Sequence, residues 1–240
     1  MTELLLQLQQ QSLAYGRQTV LHDIHLTLQR GEKLALLGPS GAGKSSLLLL
    51  LYHQLQGRCA LQPQGGALVD CLSAYQNMFI GGLDRVSTLA ALCNLLYPLP
   101  APRRELAALA AQLGLADKLW HSVDRLSGGQ RQRVAIGRAL FRRQAVYLGD
   151  EPVSSLDPLQ AEALLTLLLQ QHETAVVCLH QRQLALSLFD RVVVVCDGRI
   201  VCDSPTAALE PAALDRYYRQ APSPPADVAA PVDDSWVIRT

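Results

Sequence analysis

Charge is scarce in this sequence. Only 18% of its 240 residues are Asp, Glu, Lys or Arg, and 21 basic and 21 acidic side chains leave a formal net charge of zero. Zero net charge gives no general steering toward DNA, RNA or an anionic lipid surface, so no nucleic-acid partner is expected. Long apolar runs are missing as well. None approaches the roughly 20 residues needed to span a bilayer, so any membrane role has to come through another protein. The N-terminus lacks a basic flank and a small-residue cleavage site, and no signal peptide is expected. The six cysteines (Cys59, Cys71, Cys93, Cys178, Cys196 and Cys202) form no Cys-x-x-Cys pair, and no ligand-spaced histidine accompanies them. They read as buried free thiols in a reducing compartment, not as metal ligands or disulfides.

What is present is apolar substance and pattern. A hydrophobic fraction of 49% suits one large domain or two small ones with a sizeable core. Ile24, Leu26 and Leu28 alternate with polar neighbours, the period of a half-buried strand. Leu34 to Leu37 is a short buried strand leading into a glycine-rich loop and a helix from about Lys44 to His53. From about 77 to 143 the pattern is mostly helical. Leu106, Leu109, Ala110 and Leu113 share one helix face, Gly114 is a C-terminal cap, and Pro98, Pro100 and Pro102 break the chain before that helix. Strand and helix then alternate again. Strands are expected at Ala145–Leu148, Ala175–Leu179 and Val192–Cys196, with a helix from Pro158 to about Gln171 capped by Asp157. Asp197-Gly198 marks a hairpin turn into Arg199–Val201. The expected organisation is one mixed α/β domain over 1–220, with its core in 1–76 and 144–220 and a helical subdomain inserted at about 77–143. Residues 221–240 form a proline-rich tail, with Trp236-Val237-Ile238 as a candidate docking segment.

Three segments carry chemistry. Gly38-Pro39-Ser40-Gly41-Ala42-Gly43-Lys44-Ser45 matches G-x-x-x-x-G-K-[ST] between a strand and a helix. Glycines let backbone N–H groups turn inward around phosphate oxygens, and the helix directs its positive end to the same place. Lys44 would reach the β- and γ-phosphates, and Ser45 would ligate Mg²⁺. Asp150-Glu151 close an apolar strand, the position for a carboxylate that holds Mg²⁺ through water (Asp150) and a general base for the attacking water (Glu151). Leu126-Ser127-Gly128-Gly129-Gln130 opens a helix with a serine and two glycines, a second anion-binding device that lacks the lysine of a P-loop.

With that pentapeptide the chain resembles the ATP-binding cassette (ABC) proteins, whose signature sequence it is. The resemblance covers roughly residues 3 to 205 in the family's order. It implies a P-loop NTPase (RecA-like) core, an N-terminal antiparallel β part and the helical subdomain. It implies an ATP hydrolase using ATP and Mg²⁺, with Ser46 extending the phosphate-binding residues. Tyr15 resembles the aromatic that stacks on adenine. Gln76 resembles the glutamine that touches Mg²⁺ and the attacking water. Asp157 resembles the D-loop aspartate, and His180 the switch histidine that contacts the γ-phosphate. Gly149 departs from the family, which usually carries a larger residue before the aspartate, and looser packing is expected there.

The resemblance further implies a head-to-tail homodimer that closes on ATP, with Ser127–Gln130 of each chain on its partner's nucleotide. The partners implied are transmembrane permease subunits and a substrate-binding protein. The place implied is peripheral, on the cytoplasmic face of the inner membrane. Met78, Phe79 and Ile80 fit either a permease contact or core packing. Within the family, Leu179-His180-Gln181 followed by Leu184-Ala185, and Leu83-Asp84-Arg85-Val86-Ser87, are similar to the phosphonate-importer branch.

Overall fold

The computed structural model describes residues 3–210, 214, 217 and 236–239. The alternating N-terminal residues form two long strands, β1 (Leu4–Tyr15) and β2 (Gln18–Gln29), paired antiparallel. Ile24, Leu26 and Leu28 are buried while His25 and Gln29 face out, as period two requires. β3 (Lys33–Leu37) buries Leu34 to Leu37 completely and feeds the glycine-rich loop and α1 (Lys44–Gln54). There follow β4 (Ala60–Gln62), α2 (Ala74–Ile80), α3 (Thr88–Leu96), α4 (Pro100–Gln112), α5 (Gly128–Arg142), β5 (Val146–Asp150) and α6 (Pro158–Gln171). β6 (Thr174–Cys178), α7 (Arg182–Leu188), β7 (Arg191–Cys196), β8 (Arg199–Pro205) and β9 (Trp236–Arg239) complete the described chain.

The fold divides into two compact units, residues 1–58 with 173–240, and residues 59–172. In the first unit the strands run in the order β6-β3-β7-β8. β3 lies parallel to both neighbours, with Leu36 opposite Cys178 on one side and Val193 on the other. Their carboxyl ends therefore share one edge, where α/β sheets place ligands. β7 turns at Asp197-Gly198 into antiparallel β8, as the sequence signal anticipates. β9 pairs antiparallel with β1, Tyr15 opposite Trp236 and Ser12 opposite Arg239. The rest of the expected tail from 221 lies outside the described residues.

The second unit contains the stretch 77–143 together with β4, β5 and α6. β4 runs parallel to β5, Gln62 opposite Gly149. α2 packs on α5, and Met78 and Phe79 are fully buried in that contact. Phe79 lies 6.3 Å from the parallel ring of Tyr75 and 6.0 Å from Phe141. Core packing is thus the role of Met78 and Phe79, and neither is available to a partner. The prolines before α4 also act differently from the expectation. Pro100 starts the helix instead of breaking it, because the first turn has no intrahelical acceptor for the N–H that proline lacks. Gly114, with φ +63°, ends it as expected.

The cysteines only partly follow the expectation of buried thiols. All six are free, but Cys71 and Cys93 are exposed while Cys59 and Cys178 are buried. Burial pushes the Cys59 thiol up to about 12.

Candidate nucleotide site

The phosphate-binding loop is built almost wholly from backbone. Gly38 has φ +142°, and a Cβ there would sit 2.0 Å from the carbonyl oxygen of Val195, so only glycine fits. The Gly198 N–H donates to the Ala42 carbonyl at 3.0 Å, tying the loop to the β7–β8 turn. Gly43, left-handed at φ +100°, is the N-cap residue of α1. No acidic side chain occupies the first turn of α1, so no side chain of that turn opposes an anion at its positive end. Lys44 is buried, and its Nζ donates to the carbonyl oxygens of Gly38 and Pro39, each at 2.8 Å. The ammonium is thereby held across the mouth of its own loop. Ser40, Gly41 and Ser45 are exposed and Ser46 is half-buried.

Two further residues of this unit bear on the loop. Leu179 donates its N–H to the Leu36 carbonyl at 3.0 Å, which carries the exposed His180 to the sheet edge from which the loop springs. Tyr15 ends β1, half-buried, its backbone in register with Gln18 on one side and Trp236 on the other.

The second unit carries the acidic pair. Asp150 closes β5 at 6% exposure, and its Oδ1 is buried with no hydrogen-bond partner. An orphaned carboxylate oxygen is costly to bury. A hard cation with oxygen ligands would satisfy it, so the site fits Mg²⁺. Glu151 follows with φ +49°, a left-handed conformation that a residue with a Cβ adopts only when its surroundings enforce it. Both carboxylates line a pocket of about 190 Å³ together with Gln62, Pro63, Gly128 and Ser155.

Gly149 does not leave the loose packing expected of it. A Cβ there would lie 2.6 Å from the Tyr147 hydroxyl and 2.7 Å from its ring. Tyr147 folds over the glycine, donates to Gln62 Oε1 at 2.8 Å and packs against the His172 ring at 4.9 Å. The space that a side chain at 149 would take is filled by its neighbour two residues back on the same strand face.

Ser127 caps α5. Its hydroxyl accepts from the Gln130 N–H, and Gln130 Oε1 accepts from the Ser127 N–H in return. Ser127 and Gly128 are exposed, and Gly129 approaches Leu156 and Ser155 closely. Asp157 caps α6 by accepting from the Gln160 N–H at 3.1 Å.

Gln76 is not brought to this pocket. Its Oε1 accepts from the Ser73 N–H at 2.9 Å and its Nε2 donates to the Leu95 carbonyl at 2.9 Å, so its amide is committed to capping α2 and anchoring α3. The expected contact with Mg²⁺ and water gives way to a capping box, and Ser73-x-x-Gln76 was its sequence signal. The glutamines near the acidic pair are others. Gln62 lines the pocket, and Gln64 stands exposed between Pro63 and Gly65, which line it too. Their signal was a Gln-Pro-Gln run after a short apolar strand. Gln132 also lines the pocket, and nothing in the sequence marked it.

The chain is similar to known proteins over most of its length. The family model described as ABC transporter matches residues 21–154. A phosphonates import ATP-binding protein of Pseudomonas putida is 37% identical over 236 residues, covering 86% of this chain and 87% of its own. A phosphite import ATP-binding protein of Stutzerimonas stutzeri is 39% identical over 231 residues, covering 85% and 82%. Among solved structures, a dimeric ATP-binding cassette in a post-hydrolysis state with ADP and Pi is similar at TM-score 0.72 and 24% identity, covering 85% of this chain and 99% of that one. With its fold, its phosphate-binding loop and these relatives, the chain belongs to the ABC transporter family and is an ATP-binding ATP hydrolase of that family.

Proposed function

We propose that this chain is the energising subunit of an importer for a phosphorus oxyanion of the phosphonate type. The observation that carries the reading is the run of relatives, 36–40% identical over most of the chain, whose names specify phosphonate or phosphite import. The absence of any described helix long and apolar enough to cross a membrane fits a subunit that acts through a separate permease at the cytoplasmic face of the membrane. Leu89, Leu92 and Leu96 support such a partner. They lie at i, i+3 and i+7 on α3 and are exposed, with Tyr97 and Trp120 exposed as well. That is an apolar face a permease helix would cover. A substrate-binding protein would deliver the oxyanion to the permease.

The side chains and the family resemblance support one division of labour. The loop Gly38–Ser46 cradles the phosphates by backbone N–H groups, Lys44 exchanges its carbonyl partners for phosphate oxygens, and Tyr15 receives the base. Asp150, with its orphaned oxygen, would hold Mg²⁺, and Ser45 keeps the Mg²⁺ role that the family resemblance implies for it; the ion when bound would supply neutralisation of phosphate charge. Glu151 accepts the proton of the attacking water, and His180 orients the γ-phosphate. Gln64, two residues beyond β4, takes the water-positioning part first expected of Gln76. Ser127 to Gln130 present a capped helix N-terminus to the nucleotide of a partner chain, giving a head-to-tail homodimer that ATP closes and hydrolysis releases.

Deleting the gene in its host and growing the strain on a phosphonate, on phosphite or on phosphate as sole phosphorus source tests the assignment. Loss of growth on phosphonate alone, rescued by the wild-type chain and not by Glu151→Gln, is the expected result. Loss on phosphite alone moves the substrate to the lower oxyanion. Undiminished growth on both, in a host with no second importer, removes the substrate class and leaves the ATPase.

A further inference from the structure

Gln132 stands on α5 two residues beyond the signature pentapeptide, and its side-chain amide is bonded entirely to the catalytic turn. Nε2 donates to the Glu151 carbonyl oxygen at 2.8 Å and to Ser154 Oγ at 3.3 Å. Oε1 accepts from the Ser155 N–H at 2.8 Å. One planar amide thus pairs with two backbone groups four residues apart. Within the turn itself the Ser154 N–H to Glu151 carbonyl contact is 3.4 Å and the Leu156 N–H to Val153 carbonyl contact is 3.3 Å, both longer than the bonds Gln132 makes to the Glu151 carbonyl and the Ser155 N–H. Glu151 also holds a left-handed backbone at φ +49°, which needs enforcement from outside the turn.

We infer that Gln132 is a positioning residue for Glu151. It fixes the backbone on which the base carboxylate is mounted, and it joins that turn to the helix that begins at Ser127. The neighbouring Arg131 binds elsewhere, to Asp70 at 2.6 Å and to the Val123 carbonyl at 3.3 Å, so of these two neighbours it is Gln132 that bonds α5 to the turn. This rests on the reading of Glu151 as the base. It goes further by making the helix that meets one nucleotide a support for the residue that hydrolyses another.

Two variants of the full-length chain probe it, Gln132→Met, which keeps size and loses every hydrogen bond, and Gln132→Glu, which keeps an acceptor for Ser155 and loses the donor to Glu151. The expected result for both is a fall in kcat of about 10- to 100-fold, the range for a displaced catalytic group. KM and the affinity for a fluorescent ATP analogue should change by less than about threefold, since phosphate binding belongs to another loop. Hydrogen exchange at the Ser155 amide should speed up in Gln132→Met and stay slow in Gln132→Glu. Added to Glu151→Gln, Gln132→Met should lower single-turnover hydrolysis no further. Unchanged kcat in both Gln132 variants, or an additive loss in the double variant, overturns the proposal alone. Near-wild-type turnover in Glu151→Gln overturns the base assignment and the proposal with it.

Discussion

The phosphate-binding loop and the turn proposed to carry the catalytic base are held in opposite ways. The loop is shaped by its own backbone: Gly38 and Gly43 take conformations closed to other residues, and Lys44 is tethered to carbonyls five and six residues before it. The turn at Glu151 is shaped by side chains from outside it. Gln132 reaches in from α5, and Tyr147, packed beneath Gly149, fills the floor. The difference follows from the task. A triphosphate presents many equivalent oxygens and asks for a ring of N–H donors, which contiguous chain supplies. A water molecule asks for one carboxylate in one place, which the turn cannot fix alone.

The largest expected effect lies in the turn. Glu151→Gln removes the proposed proton acceptor and leaves size and polarity, so turnover should fall by about 10² to 10⁴, the usual range for a general base. ATP binding should persist, and the closed dimer should accumulate on gel filtration with ATP. Turnover near wild type would take the role from Glu151. Lys44→Ala should act on the other side of the comparison. Losing charge-assisted hydrogen bonds to two phosphates forfeits about 3 kcal/mol, roughly a hundredfold in affinity, read by titration with a fluorescent nucleotide. If Lys44→Ala instead left affinity intact and lowered only kcat, the loop would be a backbone device in full and the lysine a catalytic group.

The same contrast explains what was legible in the sequence. Gly38 to Ser45 could be read because the residues that make the loop are those that do its chemistry. The helix from Pro158 to Gln171 was also legible, since Asp157 and Pro158 are local start signals and the structure begins it there. Gln76 misled although Ser73-x-x-Gln76 is a local capping signal, because only its second partner, the Leu95 carbonyl 19 residues on, commits the rest of the amide. Met78 and Phe79 stayed undecided because burial depends on α5, some 60 residues away in the chain. Gly149 suggested slack only because the direction of the Tyr147 ring is invisible in one dimension. Gln132 carried no signal at all: its partners lie 19 to 23 residues away and are mostly backbone.

A smaller effect tests the floor of the turn. Gly149→Ala should destabilise the chain by about 1–3 kcal/mol, as overpacking does, because Tyr147 is pinned by Gln62 and His172 and cannot swing away freely. Thermal unfolding gives the measurement. In a Tyr147→Ala background the same substitution should become neutral or stabilising. If the full penalty remained there, Tyr147 would not be the obstacle and the packing account of Gly149 would fall.

The smallest effect separates structure from catalysis at one residue. Asp157 caps α6, accepting from the Gln160 N–H, and it is also the aspartate that the family resemblance places in the D-loop. The two roles make different demands. A cap needs only a short acceptor, which asparagine supplies as well as aspartate. Asp157→Ala should therefore lose about 1 kcal/mol of stability, whereas Asp157→Asn should lose almost none. If Asp157→Asn keeps full stability and full ATP turnover, Asp157 is a cap alone and the catalytic turn ends at Ser155. If stability holds and turnover or its cooperativity in ATP drops, the carboxylate charge acts beyond its own helix, and the externally held region extends to the start of α6.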